Sequence, residues 1–175
     1  MYDTTAIANY FIEKGIQTGE DISPMKLIKL VYIAHGWHLG NFGEPLISEA
    51  VEAWKYGPVI DSLYHTFKKY GNRSISRQQS VFQNNEIFVP LPPEQIRGFL
   101  DDVWDKYAKK SAIALSKLTH DRGTPWDEVW NKREGFRGRN VHIPNEVIER
   151  HYAERVDAEA ERRYEENPRN EEMTS

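Results

Sequence analysis

Two histidines in an apolar stretch, His35 and His38, lie three residues apart, a spacing that puts both imidazole rings on one side of a helix. Such a pair can share a metal ion if other side chains complete the coordination. Because the chain has no cysteine, the remaining ligands would have to be Glu49, Glu52, His65 or His120. The spacing does not match the H-E-x-x-H motif of zinc hydrolases. We therefore predict no metal and no cofactor, and interpret the pair as hydrogen-bonded histidines at the rim of an aromatic core. A metal-dependent enzyme is kept as an alternative.

A second group that could do chemistry is Ser116, Thr119, His120 and Asp121, which occur within six residues. A hydrolase needs a nucleophile, a base and an oxyanion hole. The chain has neither the G-x-S-x-G turn that exposes a nucleophilic serine nor a phosphate-binding P-loop. We therefore predict no catalytic residue. Thr119 and His120 are expected to satisfy backbone groups where one helix ends and the next begins.

The most unusual string is Trp-Lys-Tyr-Gly-Pro-Val at residues 54–59. Trp54 combines a large apolar body with one N–H donor, Gly57 permits a tight turn, and Pro58 can fix the first turn of a following helix. One interpretation is a core anchor followed by a turn; the other is a rigid aromatic platform of the kind found at interface hot spots. Both hold if Trp54 is buried while Lys55 or Tyr56 faces outward.

Two basic clusters raise the question of nucleic acid. They are Lys132, Arg133, Arg137 and Arg139, which surround Phe136, and Lys68, Lys69, Arg73 and Arg77. The net charge is −4 and the isoelectric point is about 5.9, so no global field attracts nucleic acid or an anionic membrane. We predict that the clusters are solvated loops or surfaces that face an acidic partner protein.

Length and composition fit one globular domain. The chain has 175 residues, of which 39% are hydrophobic, enough for a core of its own. The absence of cysteine excludes disulfides and thiolate metal sites. The longest apolar run, residues 30–34, is too short to cross a bilayer. The first residues lack the basic and apolar regions of a signal peptide, which predicts a cytoplasmic protein.

The elements that must position these residues are mainly helical. The clearest helix has Ser23 as its N-cap and Pro24 at its first position, and it runs toward Gly40. Because apolar residues occur on nearly every side of it, we expect it to lie buried at the centre of the domain. The predicted fold is therefore mainly α, a compact multi-helix domain around this helix with a small β-hairpin; an α+β fold is the alternative.

Further elements are predicted on both sides of the central helix. A first helix begins at residue 3 or 4 and ends at Gly15 or Gly19. Residues 46–47 and 51–54 are expected to form the hairpin, followed by a helix in residues 59–71, a flexible loop in 72–86 and a strand in 87–89. Later helices are predicted in residues 96–107, in 111–118 with Ile113, Leu115 and Leu118, in 124–130, and from 144 to about 156.

The C-terminal end is strongly charged. Residues 145–175 contain ten acidic residues and five arginines, and the apolar stripe of the last helix fades after Val156. We predict that residues 157–175 form a charged tail, disordered or a frayed helix.

Two strings in this order resemble the core of a known family. The first covers residues 26–39 (KLIKLVYIAHGWHL) and continues in residues 52–59 (EAWKYGPV) and Leu63-Tyr64. The second is Leu-Ser-Lys-Leu-Thr-His at residues 115–120, followed by Thr-Pro-Trp at 124–126. Together they resemble the Panacea domain, the SocA-like antitoxin family that also occurs in phage-associated proteins. The resemblance covers roughly residues 22–152, and we assign the domain to residues 1–156.

This resemblance implies a compact helical antitoxin of a type II toxin–antitoxin system, which neutralises a toxin encoded beside it by direct contact. Members are paired with unrelated toxins, including toxic alarmone synthetases, and one member delivers its toxin to an ATP-dependent protease as an adaptor. The residues that match the shared pattern are Lys29, Trp37, Glu52, Trp54, Gly57, Pro58, Tyr64, Thr119, His120 and Trp126. With their neighbours His38, Lys55 and Tyr56, they form the predicted set of motif or partner-binding residues. No enzymatic activity, membrane contact or nucleic-acid partner is expected.

Overall fold

The computed structural model describes residues 1–167, which fold into a mainly α-helical domain with short strands. The helices are α1 (Thr4–Thr18), α2 (Pro24–Phe42), α3 (Asp61–Phe67), α4 (Glu94–Tyr107), α5 (Ala112–His120), α6 (Pro125–Asp127) and α7 (Asn145–Glu166). The strands are β1 (Val51–Trp54), β2 (Gly57–Val59), β3 (Val81–Gln83), β4 (Glu86–Phe88) and β5 (His142–Ile143). Short 3₁₀ turns occupy Lys68–Tyr70 and Gly135–Arg137, and a π-helical turn, Glu128–Lys132, continues α6. The predicted fold class is confirmed.

Helix α2 is the centre of the domain, as its sequence predicts. The Ser23 side chain accepts a hydrogen bond from the backbone N–H of Lys26, and Pro24 opens the first turn. Every residue from 26 to 39 is buried, because other helices or the β1–β2 hairpin cover each side. The helix continues to Phe42, past the predicted end at Gly40. It ends at Gly43, which adopts the left-handed conformation and donates its N–H to the Leu39 carbonyl.

Helices α2 and α7 cross at very short range because α2 has glycines at the crossing. A methyl group added to Gly36 would lie 2.2 Å from the ring of Tyr152, and one added to Gly40 would lie 2.7 Å from the Tyr152 backbone. Tyr152 is itself buried, and its ring meets those of Tyr32 and Trp37 in T-shaped, edge-to-face contacts, with centroids 6.4 and 5.4 Å away. The two glycines therefore determine how closely the last helix docks on the central one.

The first hairpin forms between strands other than those expected. Strand β1 lies in the middle of an antiparallel sheet with the order β2–β1–β5, and its partner in the hairpin is β2, with Trp54 opposite Gly57. The prediction that residues 46–47 pair with β1 is wrong: Ile47 makes an isolated bridge to Tyr2 instead. Since Gly57 to Val59 are used in β2, α3 begins at Asp61 and not at residue 59.

A second hairpin, β3–β4, occupies part of the region predicted to be a flexible loop. Its turn residues Asn84 and Asn85 both have positive φ, 53° and 63°, which suits a tight two-residue turn. The fully buried Asn9 side chain holds the two ends of this hairpin. Its amide donates to the carbonyls of Gln79 and Pro90 at 2.9 Å each, and its oxygen accepts the N–H of Gln79 at 2.7 Å.

The later helices follow the predicted pattern in position, with two differences in burial and length. Helix α5 is capped by Ser111, but Ile113 and Leu118 are 79% and 48% exposed, and of its three leucine and isoleucine side chains Leu115 is the buried one. Helix α7 continues well past Val156 to Glu166, so residues 157–166 of the predicted tail are helical and mostly exposed. Residues 168–175 lie outside the described residues. No helix within residues 1–167 has the length and hydrophobicity needed to span a bilayer.

Substitution of Gly40 tests the close crossing. We expect Gly40→Ala to lower the free energy of unfolding by about 1–3 kcal/mol, because the added methyl group meets backbone atoms of α7 that cannot rotate away. The matched control is Gly98→Ala inside α4, where an added methyl group has no atom within 4 Å. This change should raise the free energy of unfolding by about 0.5–1 kcal/mol, since alanine is the better helix former. Urea unfolding of both variants measures the two effects; the same sign for both would contradict the interpretation.

Candidate functional site

Side chains of three helices donate hydrogen bonds to backbone carbonyls in and beside the turn between β1 and β2, Lys55-Tyr56. The Lys29 amine of α2 donates to the carbonyls of Pro58 at 2.8 Å and of Tyr56 at 3.2 Å. The Ser116 hydroxyl of α5 also donates to the Tyr56 carbonyl, at 3.0 Å. On the other side, the Trp126 indole of α6 donates to the carbonyl of Trp54 at 2.6 Å.

These contacts bring together parts of the two sequence strings that are far apart in the chain. Lys29 belongs to the first part of the first string, the turn belongs to its second part, and Ser116 and Trp126 belong to the second string. Ser116 is the member that sequence reasoning did not select for this role. Its position one helical turn before His120 on a face of α5 was the available signal, but nothing in the sequence shows that this face meets a hairpin turn.

Lys29 is an unusual cation because it is buried without an opposite charge. It is 2% exposed, and no carboxylate within residues 1–167 forms an ion pair with it. Burial lowers the pKa of its amine from 10.5 to about 7. A neutral amine has two N–H groups, which matches the two carbonyl oxygens within its reach. The lysine therefore fits this place as a hydrogen-bond donor that does not need its charge.

The close approach of Lys29 explains why residue 57 is glycine. Gly57 has φ = 113°, a conformation that side chains of L-amino acids rarely adopt. A Cβ atom at this position would lie 2.7 Å from the Lys29 Nζ and 3.4 Å from the Cβ of His120. The glycine thus permits both the turn and the lysine beneath it.

Glu52 and Trp54 form a second small network at the outer side of the hairpin. The Trp54 indole donates to Glu52 Oε2 at 2.7 Å, and Glu52 Oε1 lies 4.0 Å from the imidazole of His142 on β5. The Trp54 ring meets Tyr64 of α3 edge to face, with centroids 4.9 Å apart. Trp54 is half-buried, so this network fixes its ring at the edge of the surface.

Thr119 and His120 hydrogen-bond to the backbone of their own helix. The Thr119 hydroxyl donates to the carbonyl of Leu115 at 2.9 Å, with Ser116 O at 3.0 Å, and the His120 ring contacts the same Ser116 carbonyl. The His120 ring also lies edge-on to Trp126, with centroids 5.3 Å apart. The sequence predicts that both residues satisfy backbone groups at the junction between two helices; the bonds observed go to carbonyls inside α5.

Trp37 and His38 lie at the other end of α2, away from the turn. The Trp37 indole donates to the hydroxyl of Tyr107 at 2.8 Å, and the Lys106 amine lies 4.1 Å from its ring centroid. Trp37 also lines an open cavity of about 790 Å³ between α2, α4 and α7. His38 pairs through Nδ1 with the Glu44 carbonyl at 2.6 Å. The structure therefore does not unite these two residues with the others of the predicted set.

The two histidines considered as metal ligands are engaged within the protein. His35 Nε2 lies 3.0 Å from Asn145 Oδ1, and its Nδ1 accepts the backbone N–H of Ile47 at 3.4 Å. Burial lowers the pKa of His35 below its usual value, which favours the neutral ring that can accept this bond. Within residues 1–167, no three histidine or acidic side chains cluster as metal ligands. The geometry thus provides no support for the metal-dependent alternative.

The basic loop around Phe136 is partly neutralised by local ion pairs. Arg133 pairs with Glu128 of the π-helical turn, and Arg137 pairs with Glu134 at 3.3 Å. Arg150 of α7 reaches the same Glu128 at 2.9 Å. The other basic cluster differs, because Lys68 lies at the edge of a groove beside the β1–β2 turn.

This groove, which we call the turn groove, is an open cavity of about 500 Å³ bounded by the start of α2, the β1–β2 turn and α3. Its side chains include Met25, Trp54, Tyr56 and Tyr64. Tyr56 is 64% exposed, Met25 41% and Tyr64 39%. The residues that hold the turn are therefore buried, whereas the turn presents Tyr56 to solvent beside a mostly apolar depression.

The fold and this site define a helical domain in which polar side chains of the core hold an aromatic hairpin against the central helix. Residues 27–127 match the family model described as Antitoxin SocA-like, Panacea domain, and the chain belongs to this family. It is 33% identical over 152 residues to a protein named Antitoxin SocA from Caulobacter vibrioides (strain NA1000 / CB15N). That alignment covers 83% of this chain and 80% of the relative. No solved structure matches the chain. The family resemblance found in the sequence is confirmed.

The buried lysine predicts a specific pH dependence of stability. Above about pH 7 native Lys29 loses its proton, whereas the unfolded chain keeps that proton up to a pKa near 10.5. Because the unfolded state then binds more protons, the free energy of unfolding should rise with pH in this window, by at most about 1.4 kcal/mol per pH unit. Below about pH 7 both states keep the proton, so Lys29 adds no pH dependence there. Lys29→Met should remove this rise, which denaturant unfolding from about pH 6 to about pH 9 measures.

The matched control is Lys109→Met, which removes an exposed lysine and should leave the pH dependence as in the wild type. Parallel stability curves for the wild type and Lys29→Met would show that Lys29 stays charged in the folded protein.

Proposed function

We propose that this protein is an antitoxin that neutralises a cognate toxin, encoded next to it, by direct protein–protein contact. Family membership gives the class of function. The observation that carries the direct-contact mechanism is the β1–β2 turn: its backbone is held by Lys29, Ser116 and Trp126, and it presents the largely exposed Tyr56. An exposed aromatic side chain on a turn whose backbone is fixed is suited to protein recognition, because the backbone loses little conformational freedom on binding.

The polar side chains of the site support binding in preference to catalysis. Lys29, Ser116, Thr119 and His120 all hydrogen-bond to backbone carbonyls within the protein. A general base or nucleophile needs a polar atom directed at a substrate. Here the Lys29 amine, the Ser116 and Thr119 hydroxyls and His120 Nδ1 bond to the protein's own backbone.

The distribution of apolar side chains on the surface also supports a protein partner. Besides the turn groove, Phe82 and Ile87 form a cross-strand pair on the β3–β4 hairpin and are 71% and 75% exposed. On α5, Ile113 is 79% exposed. Grouped exposed apolar side chains are typical of surfaces that a partner protein covers.

Co-expression with the adjacent gene tests this function. The product of the neighbouring reading frame should arrest growth when it is expressed alone, and co-expression of this protein should restore growth. The two purified proteins should elute together in gel filtration, because direct contact predicts a stable complex. A harmless neighbour, or rescue of growth with no complex, would contradict neutralisation by direct contact.

A second candidate function, a proteolytic adaptor, is favoured by the end of α7. Residues 157–166 extend the helix as a charged and mostly exposed segment beyond the core, and Lys106–Glu159 is the ion pair that joins it to α4. In an adaptor this segment would contact an ATP-dependent protease while the domain holds the toxin.

Deletion of residues 161–175 separates the two functions, because it keeps Val156 and the Lys106–Glu159 contact. The shortened adaptor should still bind the toxin but no longer accelerate its degradation, which a pulse-chase experiment in the cell measures. A shortened protein that still neutralises the toxin fully, with unchanged toxin lifetime, would leave direct neutralisation as the sole function.

A further inference from the structure

We propose that the turn groove is the toxin-binding surface, and that it takes a toxin segment in which an aromatic or aliphatic anchor lies next to acidic side chains. This inference rests on the proposed antitoxin function and adds the location and the chemistry of the contact. Three features of the groove carry it: its apolar floor, its preorganised walls and the sign of the charges at its rim.

The floor of the groove is apolar and continuous with the core. Ile28 of α2 and Val59 of β2 both line it and are themselves 4% and 9% exposed, so they belong to the packed interior. Above them the exposed parts of Met25, Tyr56 and Tyr64 form the walls. An opening of about 500 Å³ with these walls has room for one or two large apolar side chains of a partner.

Part of the groove is fixed before a partner arrives. Trp54 is held by its bond to Glu52 and by edge-to-face contact with Tyr64, and the backbone of Tyr56 is held by Lys29 and Ser116. Binding therefore need not order Trp54, Tyr64 or the backbone of the turn, and a preorganised surface converts more of its contact energy into affinity. This arrangement distinguishes the turn groove from the β3–β4 hairpin, whose Phe82 and Ile87 form a cross-strand pair and are 71% and 75% exposed.

The rim of the groove is basic although the whole chain is acidic. Lys55 and Lys68 line it, the lining contains no acidic residue, and neither lysine forms an ion pair with a carboxylate in the described part of the chain. The Lys55 amine lies 5.3 Å from the Tyr56 ring centroid, and the Lys68 amine lies 3.3 Å from His65 Nδ1. Two acidic side chains of neighbouring elements make contacts of their own: Asp61 lies 3.2 Å from His65 Nε2, and Glu52 accepts the Trp54 indole N–H at 2.7 Å.

Charge complementarity identifies the occupant. Two unpaired amines beside an apolar floor attract a segment that carries carboxylates next to its anchor, and such rim charges accelerate association and select against basic partners. The net charge of −4 disfavours a nucleic acid, which would need several more cations to neutralise its phosphates. An acidic protein segment fits both the local and the global charge.

The test measures binding of the purified product of the adjacent reading frame to the full-length protein. Tyr56→Ala should weaken binding by about 30-fold or more, as expected for loss of a central aromatic anchor. The double variant Lys55→Glu/Lys68→Glu should weaken it by about 10-fold or more, mainly through slower association. The matched control, Lys109→Glu/Arg162→Glu, changes the net charge equally at two exposed cations outside the groove and should bind within about 2-fold of the wild type.

Two further measurements keep the test decisive. The association rate of the wild type should fall with added salt, and the Lys55→Glu/Lys68→Glu variant should lose this dependence. Because all the altered side chains are exposed, each variant should keep the wild-type unfolding midpoint; if one does not, Lys68→Glu alone replaces it. Replacing acidic residues of the toxin by lysine, one at a time, should restore binding to the double variant.

The outcomes separate the groove from the function. If the wild type binds and neutralises the toxin while the groove variants bind equally well, the groove is not the binding surface and the proposed function stands. If the wild type neither binds nor neutralises the neighbouring product, the proposed function fails and the groove proposal fails with it. Binding of an oligothymidylate that the double variant abolishes would assign the basic rim to nucleic acid and overturn the proposal.

Discussion

The structure depends on one buried amine, that of Lys29, beneath the β1–β2 turn. A lysine at the centre of a helical core is costly when charged, and the cost is reduced here because burial shifts its pKa to about 7 and two carbonyl oxygens accept its N–H groups. The same carbonyls belong to a tight turn packed against helices, where backbone groups need partners, and Ser116 is the second donor to the Tyr56 carbonyl. The same hydrogen bonds therefore satisfy both the buried amine and the carbonyls of the turn, and they connect the hairpin to α2.

Once this contact is made, the remaining elements are constrained. Gly57 must lack a side chain because the amine lies where a Cβ atom would be, and Ser116 must face the turn, which determines the rotation of α5 about its axis. Trp126 then closes the other side of the hairpin through the Trp54 carbonyl. These side chains use their polar atoms inside the protein. In the proposed function, recognition is left to their exposed neighbours on the turn.

The helices could be predicted from sequence because their signals are local. Ser23 and Ser111 cap their helices through bonds to residues three positions ahead, so a short window of sequence contains the whole interaction. The hairpin could not be assigned in this way, since both residues 46–47 and residues 57–59 are apolar and lie near β1. The choice of β2 depends on Lys29, which is far from the turn in sequence. Likewise, Ile113 marks a helix correctly, but its exposure depends on which face of α5 meets the core.

The sequence could predict which residues belong to the candidate site, but not how these residues are arranged in space. The strings identify Lys29, Trp54 and Trp126, which the structure unites, together with Trp37, which lies eight residues beyond Lys29 and so about 12 Å along α2. A motif in sequence cannot distinguish a residue that holds a surface from one that forms it. The hydrogen bonds make this distinction, because within residues 1–167 the Tyr56 side chain forms no hydrogen bond, whereas the Lys29 amine forms two. The exposed turn can therefore vary to suit a partner at little cost in stability, provided that the buried contacts beneath it are kept.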